Sequence, residues 1–64
     1  MTAATALMIL EIVGSLLGAV TEVPGVIAEA KSLLEKVRPY ANELGVDVAT
    51  EFVAAEQQLH AAGG

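Results

Sequence analysis

Residues 24–39 read PGVIAEAKSLLEKVRP, and this stretch decides the fold. Between its two prolines, Val26, Ile27, Ala30, Leu33, Leu34 and Val37 recur at i, i+1, i+4, i+7, i+8 and i+11, the spacing of one face of an α-helix. Glu29, Lys31, Ser32, Glu35, Lys36 and Arg38 occupy the other positions. Pro24 suits the first turn of a helix, and Pro39 cannot continue one. The spacing therefore predicts an amphipathic helix over residues 24–38. Lys31 with Glu35, and Glu35 with Arg38, are close enough to pair on its outer face.

Upstream, residues 3–21 form a different kind of segment. Leu7, Ile9, Leu10, Ile12, Val13, Leu16, Leu17 and Val20 crowd most of a helical surface, while Glu11, Gly14, Ser15, Gly18 and Glu22 share one small and polar stripe. Val23-Pro24-Gly25 ends this helix, because the residue before proline is pushed out of the helical region. A helix apolar on so much of its surface has to be covered. Gly14 and Gly18 match the small-xxx-small pattern of close helix contact. Glu11, set among apolar neighbours, has to reach water or a cation from a neighbouring subunit.

Downstream, Pro39 predicts a break at Arg38, with residues 40–44 as a short helical turn that Gly45 closes in the left-handed cap conformation. Asp47 is the expected N-cap of a third helix over residues 47–62, with Val46 stapled against Glu51-Phe52. Val48, Phe52, Ala55, Leu59 and Ala62 form its apolar stripe. No stretch alternates as a strand does. The fold class is all-α: one domain, 1–64, of three helices in a small hairpin-like bundle that oligomerisation or a host protein completes.

Size and composition bear on that completion. A chain of 64 residues buries only about 60% of its unfolded surface. Small domains make up the deficit with disulfides, a structural metal or association. Zero cysteines and one histidine leave association. The expected partners are other copies of the chain or a larger protein. The expected adhesive residues are Leu7, Leu10, Glu11, Val13, Gly14, Leu17, Gly18, Ile27, Leu33, Leu34, Val37, Phe52 and Leu59.

The formal charge of −5, from eight acids against Lys31, Lys36 and Arg38, argues against nucleic acid, which requires a basic face. It argues equally against a basic membrane-surface helix. As a membrane span, Ala3 to Val20 is near the short end of about 17–25 residues. A central acid costs about 2.5–3.5 kcal/mol, while the nine Leu, Ile, Val or Met residues of this stretch return roughly 0.3–0.6 each. The two nearly cancel, so a single span over helix one is the alternative, with Glu11 lining an oligomer.

Catalysis has no visible machinery. The hydroxyls of Thr2, Thr5, Ser15, Thr21, Ser32 and Thr50 have no histidine base in a known motif, and no phosphate loop or nucleophile elbow occurs. Glu56 and His60 stand i, i+4, but a metal site needs three or four ligands. The expectation is a non-enzyme without cofactor, metal or small-molecule substrate.

The chain joins an apolar first helix with a central acid (Leu7-Met8-Ile9-Leu10-Glu11-Ile12-Val13-Gly14), a Pro-Gly break, an amphipathic middle and an Ala/Gln-rich end (Ala54-Ala55-Glu56-Gln57-Gln58-Leu59-His60-Ala61-Ala62). In that character it resembles the small Ala-rich helical proteins encoded by tailed bacteriophages. The resemblance implies a multi-copy virion or accessory component, or a holin-like membrane protein. Unlike a typical holin, the chain lacks a second span and a basic C-terminal tail. The expected location is accordingly cytoplasmic or virion-associated rather than membrane.

Overall fold

The computed structural model describes all residues, Met1–Gly64. Helix α1 spans Ala3–Gly18, α2 spans Val26–Val37 and α3 spans Val46–Ala61, with a single 3-10 turn over Arg38–Tyr40 after α2. There is no strand. The three helices form a small bundle about 33 × 17 × 15 Å in extent.

Local chemistry sets the ends. The Thr5 backbone N–H donates to the Thr2 hydroxyl at 3.1 Å, so Thr2 caps α1 and satisfies one of its otherwise unpaired first-turn donors. At the other end α1 stops at Gly18, short of the expected Thr21. The Ala19 N–H donates three residues back to the Leu16 carbonyl at 3.0 Å, and the N–H groups of Glu22 and Val23 both donate to Ala19. The last turn thus tightens and folds back before Pro24. Pro24 and Gly25 belong to the entering turn, where Val26 donates to Val23 and Ile27 to Pro24, so α2 begins two residues later than its proline suggests.

After α2, Pro39 lacks the N–H an α-helix needs, and the chain tightens into the 3-10 turn without reversing sharply. Gly45 does not form the expected left-handed cap. Its φ of 113° and ψ of 168° lie in an extended, positive-φ region that is essentially restricted to glycine. That conformation swings the chain into α3 at Val46, so Gly45 itself holds the N-cap place and Asp47 falls in the first turn. There its carboxylate complements the positive end of the helix dipole. The expected staple from Val46 does not form, since Val46 is 78% exposed. Gly45→Ala should cost about 1–3 kcal/mol through backbone strain. Gly25→Ala, at a φ of −63° and with open space beside it, should be neutral or slightly stabilising. Urea unfolding midpoints of the two variants check the contrast.

Every helix turns one stripe of residues three or four apart inward. Ala6, Leu10, Val13 and Leu17 from α1 meet Ala30, Leu34 and Val37 from α2, Ala41 from the connecting turn, and Val48, Phe52, Ala55 and Leu59 from α3. Alanines interleaved with larger residues let the axes approach, and Phe52 is the one aromatic ring in the cluster. No polar or charged side chain is buried, so burial of apolar area holds the bundle together. Arg38 adds a brace at its edge. Its Nη2 lies 3.2 Å from Glu35 Oε1 and 3.0 Å from Glu56 Oε2, and its guanidinium sits 5.6 Å from the centroid of the Phe52 ring. The Arg38–Glu56 pair ties the end of α2 to α3; with both side chains substantially exposed, its worth is modest.

Candidate interaction surface

The inward stripes account for most of the expected adhesive residues. Leu10, Val13, Leu17, Leu34, Val37, Phe52 and Leu59 are buried among one another inside a single chain, so none of them offers a free apolar face to a partner. Leu7, Ile27 and Leu33 are half-buried and pack against that core. Glu11 and Gly18 are exposed and Gly14 is half-buried. A Cβ at either Gly14 or Gly18 would meet nothing within 4 Å, so no helix of this chain uses that small-residue pattern for close approach.

What remains outward on α1 is therefore the informative part. Met8 is 60% exposed and Ile12 46%. Met8 and Ile12 are i, i+4 and share a face one turn apart. Glu11 stands three residues after Met8 and adjacent to Ile12, at the border of that face. Val23, Val46 and Val53 are also exposed, but they are scattered over a loop and another helix, and isolated surface apolar residues are ordinary.

Beyond Glu11 the surface falls into an open cleft of about 420 Å³ between α1 and the first turns of α3, lined by Leu7, Glu11, Asp47, Thr50 and Glu51. The ion pairs of the molecule are those of Arg38 with Glu35 and Glu56, so the three carboxylates of this cleft face solvent without a cation. A second, smaller depression of about 260 Å³ lies between α2 and α3, lined by Lys31, Leu34, Glu35, Arg38, Glu56, Leu59, His60 and Gly64. Its acids are the two already engaged by Arg38.

The sequence reading missed Met8 as a surface residue and placed Ile12 only among the residues that need cover. The usable signal was the stripe Ala6, Leu10, Val13, Leu17: once that register is fixed, Met8 and Ile12 fall on the far side of the helix. As for reactive chemistry, no three His, Cys, Asp or Glu residues converge as metal ligands, and no buried side-chain polar atom lacks a partner. The Thr2 hydroxyl is occupied in capping and in a 2.9 Å hydrogen bond to Thr5 Oγ1. No helix is long and apolar enough to cross a membrane; α1 has 16 residues, about 24 Å at 1.5 Å per residue, against a hydrocarbon core of about 30 Å. No family model, curated protein or solved structure matches the chain.

Proposed function

We propose that this chain is a non-enzymatic interaction protein, a small helical component of a larger assembly that it contacts through the outer face of α1. One observation carries the reading: after α1 has supplied its share of the core, Met8 and Ile12 remain side by side in solvent. Contiguous exposed apolar surface is the feature that marks contact sites on soluble proteins, and these two side chains form the apolar centre of the α1 outer face. The resemblance in character to small Ala-rich phage proteins makes a virion the assembly it suggests.

Met8→Lys/Ile12→Lys tests this, because neither side chain belongs to the core. The purified variant should keep its far-UV circular dichroism and its thermal midpoint. Sedimentation of lysate from the cells that produce the protein should show the unaltered chain travelling with a large particle and the variant left near its own 6.5 kDa. Identical sedimentation of the two would sink the proposal. Retention in carbonate-washed membranes would support the single-span alternative instead.

A further inference from the structure

We infer that the α1 outer face and the acidic cleft beside it dock a basic amphipathic helix of another protein, one whose apolar stripe is edged by Lys or Arg. This rests on the reading of that face as the contact surface and adds the chemistry of its occupant.

Charge selects the occupant. Helices α1 and α3 together carry Glu11, Asp47, Glu51 and Glu56 and not one Lys or Arg; the three cations of the chain are Lys31, Lys36 and Arg38, in α2 and the turn after it. Glu56 is engaged by Arg38. Glu11, Asp47 and Glu51 line one cleft, and Glu11 is also the border of the Met8/Ile12 face. A second copy meeting this face about a two-fold axis would set the same carboxylates against their equivalents, and juxtaposed like charges oppose association. A helix with cations along one edge reverses the sign of that term. Its apolar side chains would lie on Met8 and Ile12, methionine being well suited to moulding around a partner, while its Lys or Arg side chains would reach over Glu11 into the cleft.

Size calls for a partner that reaches beyond α1. A standard interface takes about 800 Å² from each side, roughly a fifth of the 3974 Å² surface of this chain. The outer face of α1 is about 24 Å long on a helix about 10–12 Å wide, too narrow to supply that area alone. The cleft toward Asp47, Thr50 and Glu51 extends it.

The test uses the full chain and three fluorescent synthetic helices of about five turns. One has a leucine stripe edged by lysine, the second the same stripe edged by glutamate, and the third the lysines with the stripe replaced by glutamine. Anisotropy titrations should show binding by the first alone, weakened roughly tenfold when ionic strength is raised well above the physiological level. Glu11→Gln/Glu51→Gln should weaken that binding by a similar factor, and Met8→Gln/Ile12→Gln should abolish it. Equal binding of the glutamate-edged helix, equal binding of the stripe-free helix, or no binding by any of them would overturn the inference. Sedimentation equilibrium separates this failure from failure of the surface itself. A dimer that Met8→Gln/Ile12→Gln dissolves would make a second copy the occupant and leave the contact face standing. Lysine-edged binding or dimerisation that survives Met8→Gln/Ile12→Gln would remove the face as well.

Discussion

Val13→Asp should yield a chain that does not fold. Val13 is 0% exposed at the middle of α1, where the core contains only apolar side chains from all three helices. The substitution removes a buried isopropyl group and sets a carboxylate with no cation and no donor in its place. An uncompensated buried charge costs about 3–5 kcal/mol, and the lost apolar burial adds to it. A domain of this length has only about 3–10 kcal/mol to lose, at roughly 0.05–0.15 kcal/mol per residue. Far-UV circular dichroism at room temperature should therefore show most of the helical signal gone. The same substitution also separates two roles for this residue. Had Val13 been an outward contact residue, the aspartate would leave the helices intact and affect association alone.

Leu34→Ala should be the most damaging simple truncation in α2. At 1% exposed, Leu34 is the largest side chain that is fully buried, and it belongs to the cluster shared by all three helices. Truncating a leucine in such a site costs about 2–5 kcal/mol, the upper end applying where neighbours cannot collapse into the space. The surrounding helices are fixed to one another by short connections, and α2 is held at its exit by the Arg38 contacts to Glu56 and Phe52, so little collapse is expected. Urea unfolding should show a midpoint far below that of the unaltered chain, if a folded baseline survives at all. Met8→Ala, at an exposed position, should stay within about 0.5 kcal/mol, and that contrast makes the assignment of inner and outer faces measurable.

How far the sequence announced this arrangement differs from element to element. The α2 stripe was legible because its polar and apolar residues separate cleanly, and residues 26, 30, 34 and 37 are indeed its buried set. The α3 stripe was legible too, with Val48, Phe52, Ala55 and Leu59 buried as expected. The α1 stripe was legible in part: Leu10, Val13 and Leu17 stood among the expected adhesive residues, but as contacts to another subunit or a host protein, whereas they are buried within this chain. Leucine, isoleucine and valine occupy nearly every direction around that helix, so it is the placing of α2 and α3 on one side that turns those residues inward and leaves Met8 and Ile12 in solvent. Two turns were misread for a backbone reason. Gly45 uses a conformation that no other residue type would have signalled, which moved the start of α3 ahead of Asp47; and the α1 exit closes through carbonyls at Leu16 and Ala19, a matter of hydrogen bonding that side-chain patterning does not encode. The α1–α3 cleft depends on which helices become neighbours, so Glu11, Asp47 and Glu51 looked unrelated along the chain.

The core closes within one chain and leaves the outer face of α1 free. Thermal unfolding of the purified chain at concentrations about a hundredfold apart tests it most directly, because folding coupled to association makes the midpoint depend on concentration. Coincident midpoints and a sedimenting mass of one chain are expected. A midpoint that climbs steadily with concentration would contradict closure within one chain, showing that the helices require another copy to fold.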